Sequence, residues 1–291
     1  MPLIGSHATV TGGLAAGGLG YAAEVGAEVI QVFVSNPRGW VAGPGDAAQD
    51  ARLRESGLPV FIHAPYLINL GASDQVTAAK SAQAVVHALR RGREIGARGV
   101  VVHTGSAVGW TSDDEGTAKD KALRQLREIA LPLLDKLADD DPDLLFEPMA
   151  GQGQMLCAPA SDLAEFLGAV EAHPKAGICL DTCHMFAAGH DLTAADGVAA
   201  LLDQVDAATG PGRVRLVHAN DSLLGCGSRR DRHEAIGAGA IGTGPFGQML
   251  LHPSLRETPF VVETPGGKKG HARDIATLKG LRGSSPAAGR G

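Results

Sequence analysis

The sequence predicts an α/β fold, and its simplest form is a single-domain (β/α)8 TIM barrel. Eight short apolar runs recur along the 291 residues, with helical patterns between them. Near-continuous apolar strands that alternate with helices are typical of a parallel sheet buried on both faces. Eight repeats favour closure into a barrel, which usually takes about 250 residues. An open doubly wound sheet is the alternative arrangement of the same elements.

The apolar runs define eight predicted strands, and six consecutive ones end in His, Glu or Asp. In a parallel barrel the C-terminal ends of all strands lie at the same face, where their side chains meet. The strands cover residues 3–5 reaching His7, 28–34 ending at Ser35 and Asn36, 59–62 ending at His63, 100–102 ending at His103, 144–146 ending at Glu147, 178–180 ending at Asp181, 214–217 ending at His218, and 260–262 ending at Glu263.

Five segments between the strands carry apolar residues at helical spacing. They are residues 75–96, 117–138, 160–172, 194–208 and 271–282. No shift in composition marks a second domain, so residues 1–282 are predicted to form one barrel domain. The remaining stretch, 283–291, is rich in Gly, Ser, Pro and Ala and is predicted to be a disordered tail.

Composition excludes several classes of protein. The hydrophobic fraction of 44% allows a sizeable core, and the 40 glycines follow no Gly-X-Y period, so the chain is not fibrous. Four cysteines without a CxxC pair suit a reducing compartment, and we expect a cytoplasmic location. Neither a signal peptide nor an apolar run of about 18 residues is evident, so no membrane association is expected. The formal net charge of −6 is the opposite of what phosphate binding by Lys and Arg requires.

The strand ends predict a metal site at the C-terminal face of the barrel. One His at a strand end is usually a hydrogen-bonded structural residue. Six consecutive ends with imidazoles and carboxylates, but without Lys or Arg partners, would be costly to desolvate. A bound cation removes that cost, and His with carboxylate ligands suits Zn²⁺, Mn²⁺ or Fe. The six residues are His63, His103, Glu147, Asp181, His218 and Glu263.

Three further residues fit the same site. His184 follows Asp181 by three positions at a strand-to-helix junction, so both can face one pocket. Asp231 and His233 are two apart, which places both on one face of an extended segment. The alternative for Asp231 is a solvated charge in an arginine-rich loop. Together the candidates number nine, which is too many for one ion and suits three ions if a carboxylate bridges.

Several long motifs in this order are similar to those of the endonuclease IV family of apurinic/apyrimidinic endonucleases. The resemblance covers roughly residues 4–280, and every family metal ligand has a matching residue. The motifs are Ile4-Gly5-Ser6-His7, Asn36-Pro37-Arg38-Gly39-Trp40, His63-Ala64-Pro65-Tyr66-Leu67-Ile68-Asn69-Leu70, His103-Thr104-Gly105-Ser106, Glu147-Pro148-Met149-Ala150-Gly151-Gln152-Gly153, Asp181-Thr182-Cys183-His184-Met185-Phe186-Ala187-Ala188-Gly189, His218-Ala219-Asn220-Asp221, Asp231-Arg232-His233 and Glu263-Thr264-Pro265.

The resemblance implies a zinc-dependent hydrolase of base excision repair with three Zn²⁺ per chain. Glu147 would bridge two ions and act as the catalytic residue that positions the attacking hydroxide. The three implied ligand sets are His63, His103 and Glu147; Glu147, Asp181, His218 and Glu263; and His184, Asp231 and His233.

The implied reaction is cleavage of DNA 5′ to abasic sites, which leaves a 3′-hydroxyl and a 5′-deoxyribose phosphate. Removal of 3′-blocking groups is implied as well. The expected partner is double-stranded DNA with abasic or 3′-blocked sites, bound by a monomer.

The resemblance also places DNA-binding residues in the loops after the second and third strands, namely Arg38, Trp40, Tyr66 and Leu67. The alternatives are a surface ion pair for Arg38, helix packing for Trp40 and a rim position for Tyr66. The chain departs from the family pattern at Ala107, where a second His is common, and at Pro148-Met149, where Asn-Thr is commoner. Neither departure affects an implied ligand.

Two rival functions use the same pattern differently. A sugar isomerase or epimerase of the xylose isomerase-like barrels also has His, Asp and Glu at strand ends, around one or two divalent ions. The pair Asp231 and His233 argues against it, because a site with one metal has no use for further ligands. A non-catalytic DNA-binding barrel is the second rival, and the complete ligand set argues against that.

Overall fold

Eight parallel strands close into a barrel in the computed structural model, which describes residues 1–283. Going round the barrel the order is β1-β10-β7-β6-β5-β4-β3-β2, so the predicted (β/α)8 fold is confirmed and the open sheet is excluded. The strands are β1 Ile4–His7, β2 Ile30–Val32, β3 Val60–His63, β4 Gly99–His103, β5 Asp143–Glu147, β6 Ala176–Asp181, β7 Val214–His218 and β10 Phe260–Val262. A separate antiparallel hairpin joins β8 Asp221–Ser222 to β9 His233–Glu234.

Helices follow the strands and cover the outside of the barrel. They are α1 Leu14–Val25, α2 Ala47–Glu55, α3 Gln75–Ile95, α4 Ala118–Leu134, α5 Leu163–Ala169, α6 Thr182–Ala188, α7 Gly197–Thr209, α8 Thr243–Leu251 and α9 Gly267–Gly283. Short polar side chains set several N-termini. The Asp74 carboxylate accepts the Thr77 amide at 2.8 Å before α3, and Thr117 forms a capping box with Asp120 before α4. None of the helices within residues 1–283 is long and apolar enough to cross a membrane.

Two apolar layers hold the barrel together. Side chains alternate between the two faces of each strand, so one set points inward and the other packs beneath the helices. In β3, Phe61 belongs to the small inner cluster, whereas Val60 and Ile62 belong to the outer one. The inner cluster consists of Val29, Phe61, Val101, Leu145, Cys179, Leu216 and Val261. A filled barrel of this kind is a rigid support for the loops at its C-terminal face.

The structure departs from the sequence predictions at several boundaries. The second strand is shorter than the predicted 28–34, and the predicted 160–172 helix is a 3₁₀ turn, Ala160–Asp162, followed by α5. Helices α1, α2 and α8 and the β8–β9 hairpin were not predicted, and of α6 only the start after Asp181 was expected. Gly283, assigned to the predicted tail, ends α9, and residues 284–291 of that tail lie outside the described residues.

Candidate metal centre

The six candidate donors at strand ends converge on the C-terminal face of the barrel. His63, His103, Glu147, Asp181 and His218 are each the last residue of their strand, and Glu263 follows β10 directly. The remaining three come from other elements. His184 lies in the first turn of α6, Asp231 in the hairpin loop, and His233 begins β9. All nine sequence candidates therefore lie in one place.

The nine donors fall into three adjoining groups, in each of which one ligand atom per residue lies within 4.8 Å of the others. Glu147 belongs to two of the groups. Its Oε2 lies 3.3 Å from His63 Nε2 and 3.6 Å from His103 Nε2, and its Oε1 lies 3.0 Å from His218 Nδ1. The groups are His63, His103 and Glu147; Glu147, Asp181, His218 and Glu263; and His184, Asp231 and His233.

A fourth combination overlaps these groups, because the Cys183 sulfur lies near Asp181 and His233. Burial raises the pKa of the Cys183 thiol to about 11, and Asp181 adds to the effect. In the absence of a cation the thiol is therefore neutral at pH 7.

Within residues 1–283 the ion pairs of the four carboxylates at this centre are all with imidazoles; Glu147 and Asp181 are buried, Glu263 is mostly buried and Asp231 is partly exposed. The side chain of Glu147 is 1% exposed and that of Asp181 is fully buried. Burial alone would raise the pKa of Glu147, but the surrounding histidines, His218 first, hold it well below its usual value. The pKa of Glu263 is lowered in the same way, again against burial and chiefly by His218. These groups are therefore anionic at neutral pH and require positive charge beside them.

The histidines show the reciprocal effect. Burial alone would lower the pKa of His184, but Asp181, Asp231 and Glu147 raise it to about 9. Burial is similarly outweighed at His233, chiefly by Asp181, and its pKa lies well above the usual value. Without a cation, protons on the imidazoles balance the carboxylates. At His103 burial dominates and lowers the pKa to about 4, so that ring is neutral and free to act as a ligand.

Hydrogen bonds on the far side of each ring fix which nitrogen faces the centre. His63 Nδ1 donates to the Ala64 carbonyl at 2.7 Å, which leaves Nε2 toward Glu147. His184 Nδ1 donates to the Pro148 carbonyl at 3.0 Å, and its buried Nε2 makes no hydrogen bond. The departure from the family pattern at Pro148 therefore leaves this hydrogen bond intact, because any residue supplies a backbone carbonyl. Such outer partners set the tautomer and orientation of metal-binding histidines.

The turn after β6 joins two of the donor groups. The Asp181 side chain caps α6, and its Oδ1 accepts the His184 amide at 2.8 Å. Its other oxygen, Oδ2, accepts from Asn220 Nδ2 at 2.7 Å and lies 3.4 Å from His233 Nε2. One N-cap thus fixes the distance between Asp181 and His184, which belong to different groups.

Three residues that hold the candidate ligands in position were not among the predicted site residues. Gln31 Oε1 accepts from His218 Nε2 at 2.9 Å, and Gln31 Nε2 donates to Glu263 Oε1 at 2.6 Å. His7 Nδ1 lies 3.1 Å from Glu263 Oε1. Asn220 also accepts the Glu263 amide at 2.8 Å. A polar Gln31 within an otherwise apolar strand was the one sequence signal available.

A cavity of about 540 Å³ opens above the donors. Tyr66 stands at its rim with its ring 5.3 Å from that of His63, and burial together with Glu263 raises its pKa to about 12. Gln152 also lines the cavity, and its buried Oε1 has no hydrogen-bond partner. Met149, a departure from the family pattern, lies in the wall. Ala107 is buried and does not line the cavity.

The predicted DNA-binding residues occupy two loops that touch each other. The Tyr66 amide donates to the Pro37 carbonyl at 3.0 Å. Arg38 is exposed, and the exposed fractions of Tyr66 and Leu67 are 47% and 39%. Trp40 is half-buried and packs against the core, in line with the alternative of helix packing. Tyr66 is both a rim residue and exposed, so it remains available for contact.

The donor set fits a cluster of divalent cations. Imidazole and carboxylate ligands of this number suit Zn²⁺. The buried Nε2 of His184 lies 3.3 Å from Asp231 Oδ2, so this nitrogen is directed at another donor of the third group. In the described part of the chain no Lys or Arg lines the cavity, so bound cations can take the place of the imidazole protons as the positive charge beside the carboxylates.

The comparisons with known proteins agree with this geometry. The family described as xylose isomerase-like TIM barrel matches residues 19–281. The probable endonuclease 4 of Streptomyces coelicolor is 52% identical over 284 residues, which cover 96% of this chain and 95% of that protein. The crystal structure of endonuclease IV from Thermus thermophilus is 32% identical in sequence with a TM-score of 0.82, and the match covers 96% of this chain and 98% of that one.

Epimerases share the architecture as well. A D-tagatose 3-epimerase-like protein gives a TM-score of 0.72 over 96% of both chains, but at 17% identity the likeness shows the fold alone. The relatives at 52% and 32% identity, which match along nearly the whole chain, both bear the name of an endonuclease. This chain therefore belongs to the endonuclease IV family and is an enzyme of the hydrolase class.

Proposed function

We propose that this chain is a zinc-dependent phosphodiesterase of base excision repair that cleaves DNA 5′ to abasic sites. The products would be a 3′-hydroxyl and a 5′-deoxyribose phosphate, and 3′-blocking groups would be removed at the same centre. The observation that supports the proposal is the set of three adjoining donor groups beneath one cavity, two of which share Glu147. The names of the relatives at 52% and 32% identity support it.

Each donor group would hold one Zn²⁺. His63, His103 and Glu147 would bind the first, Glu147, Asp181, His218 and Glu263 the second, and His184, Asp231 and His233 the third. When bound, zinc supplies Lewis acidity toward phosphoryl oxygens, lowers the pKa of a water ligand and stabilises a leaving oxygen.

Glu147 is the residue that we assign to catalysis. It is ionised at neutral pH, because the histidines hold its pKa low. Its carboxylate lies between two donor groups, where it can accept a hydrogen bond from an attacking water and orient that water toward the phosphorus. Orientation of a nucleophile in this way contributes to the rate without any change in the protonation of the carboxylate.

Two cavity residues can position the substrate. The Tyr66 hydroxyl keeps its proton at physiological pH, since its pKa is about 12, and can therefore donate to a phosphate oxygen. The amide of Gln152 lies between Gly151 and Gly153, whose φ angles of 88° and 63° give a tight turn. Its unpartnered Oε1 is placed to accept a hydrogen bond from the sugar.

DNA would be held at the rim by Arg38, Trp40, Tyr66 and Leu67. An abasic nucleotide must leave the duplex to reach a recessed centre, and the missing base lowers that cost. The exposed Tyr66 and Leu67 can occupy the space that the nucleotide vacates. Trp40 would act indirectly, by fixing the loop that carries Arg38, because its ring packs against the core.

The negative net charge is compatible with this function. Four ligand carboxylates against three dications leave a local charge of about +2 at the barrel mouth. A phosphodiester is therefore attracted to the centre even though the formal charge of the chain is −6. Attraction confined to the centre would also favour lesions over undamaged duplex.

Incision of a duplex with a tetrahydrofuran abasic analogue, combined with metal analysis, tests the proposal. We expect cleavage 5′ to the analogue without added Mg²⁺ and three zinc ions per chain. No incision by metal-replete protein would refute the endonuclease function. One or two ions per chain, with turnover of a ketose and no incision, would show a sugar epimerase instead.

A further inference from the structure

One buried carboxylate next to the donor groups belongs to none of them. Asp221 is fully buried and accepts hydrogen bonds from five backbone amides. Its Oδ1 accepts from Ser222 at 2.8 Å and from Ile241 at 2.9 Å. Its Oδ2 accepts from Gly237, Gly239 and Gly242 at 2.9, 3.1 and 3.2 Å. Both oxygens are thereby saturated by the protein's own backbone.

The amides come from a Gly-X-Gly-X-X-Gly segment, residues 237–242. Segments of this pattern often bind phosphate through their amides. In this chain four backbone amides of the segment donate instead to the carboxylate of Asp221. A Cβ on Gly239 would lie 2.4 Å from the Ser222 carbonyl oxygen and 2.5 Å from Asp221 Oδ1, so this position requires glycine for close approach. The segment is an intramolecular anion-binding loop.

The segment closes the loop that carries two donors of the third group. Asp221 lies in β8, which pairs with β9 so that Ser222 is opposite His233. The chain then passes through the 237–242 segment, and the Ala240 amide returns to the Ser222 carbonyl at 2.7 Å. Asp221 therefore binds the returning end of the loop that bears Asp231 and His233. The donors of the other groups need no such anchor, because they lie on or next to barrel strands.

We propose that Asp221 is a positioning residue that fixes Asp231 and His233 and thereby the affinity for the third cation alone. The inference rests on the proposed function, since it assumes a cation bound by His184, Asp231 and His233. Loss of the anchor lets the loop separate from β8 and spreads these two donors, while the strand-borne groups keep their geometry. Partners of this kind typically change metal affinity by about 10–100-fold.

Two variants loosen the anchor by different means. D221N keeps the shape of the side chain but directs an amide donor at backbone N–H groups. G239A keeps the carboxylate and obstructs its approach. G225A is the matched control for the second variant, because Gly225 lies in the loop between β8 and β9 with open space at its Cβ position. D141N is the control for the first, since Asp141 is a buried aspartate that pairs with Arg93 before β5, at the opposite face of the barrel.

Two measurements decide the role of Asp221. Zinc content after equilibration with a competing chelator should fall from three ions to two in D221N and G239A, and remain three in both controls. Hydrogen exchange of the metal-free proteins should show the amides of Gly237, Gly239, Ile241 and Gly242 exchanging at least about tenfold faster in the two variants only.

The outcomes separate the two proposals. Three retained ions and unchanged exchange in D221N and G239A would overturn the role of Asp221. Loss of all ions together would also overturn it, because the effect would then extend to the strand-borne groups. A wild-type protein with fewer than three ions would refute the metal count of the proposed function, while the exchange measurement would still decide whether Asp221 anchors the loop.

Discussion

Replacement of Glu147 by glutamine removes the one carboxylate shared by two donor groups while keeping its size. The side chain is 1% exposed and lies within 3.6 Å of four imidazoles, those of His63, His103, His184 and His218. Glutamine retains one acceptor oxygen but no charge, and its amide nitrogen would face rings that need an acceptor. We therefore expect the folded barrel to persist and incision to be lost.

The size of the loss follows from the position of the carboxylate in a buried centre. Removal of one preorganised polar group from such a centre costs about 2.7–4 kcal/mol of transition-state stabilisation. With about 1.4 kcal/mol for each factor of ten in rate, the incision rate should fall by roughly 10²–10³-fold. DNA binding should change little, because the residues proposed to contact DNA lie on the rim rather than at the carboxylate.

Single-turnover incision of the abasic duplex measures the rate, and fluorescence anisotropy measures binding. The matched control is E165Q, since Glu165 is 50% exposed on α5 and pairs with Lys119. Zinc content must be measured alongside, to separate loss of an ion from loss of orientation. An E147Q rate within tenfold of wild type would show that Glu147 neither orients the nucleophile nor holds the cluster.

Three further results are expected. In chelator-treated protein the raised pKa of His184, about 9, stabilises the fold fully below its usual value of 6.5, so the melting temperature should fall from pH 7 to pH 9.5; a constant or rising value over this range would contradict the assignment. Insertion of one glycine between Thr182 and Cys183 should lower incision by at least about 100-fold with an unchanged circular dichroism spectrum, because it breaks the Asp181 cap that sets the spacing to His184. R38A should reduce the slope of log affinity against log salt by about one, measured by anisotropy, and an unchanged slope would show that Arg38 contacts no phosphate.

The donors at the strand ends could be predicted from sequence because three simple features coincide there. Each follows an apolar run, each is of a metal-binding type, and barrel geometry brings successive strand ends together. The predicted ends of β6 and β7 at Asp181 and His218 are those of the structure. Proximity of residues more than 80 positions apart, such as His63 and Glu147, follows from the closure of the barrel alone.

Helix α1 and the hairpin were beyond the same reasoning. Three of the twelve residues of α1 are glycine, which lowers intrinsic helix propensity, and the helix is held by packing of Tyr21 and Val25. The strands of the hairpin have only two residues each and no apolar alternation. What holds the hairpin loop is Asp221, whose partners are 16 to 21 positions away in sequence except for Ser222. No local pattern indicates such contacts.

The roles of Gln31 and Asn220, which hold the ligands in position, also could not be predicted from local sequence patterns. Gln31 joins His218 to Glu263 across the barrel, and Asn220 joins Asp181 to the backbone of Glu263. Each is informative only after the strand order is known, because its role depends on which strands are neighbours. Buried glutamine and asparagine side chains are usually hydrogen-bonded, so the residue types alone do not indicate a role at the centre.

The barrel itself does not distinguish an endonuclease from an epimerase, since proteins of both kinds superpose on this chain. The first two donor groups lie on or directly after strands of that common barrel and would be retained by any relative that keeps the strand ends. The third group depends on α6 and on the loop between β8 and β9. The third donor group of this chain therefore depends on a loop outside the barrel strands, and we propose that Asp221 holds that loop in place.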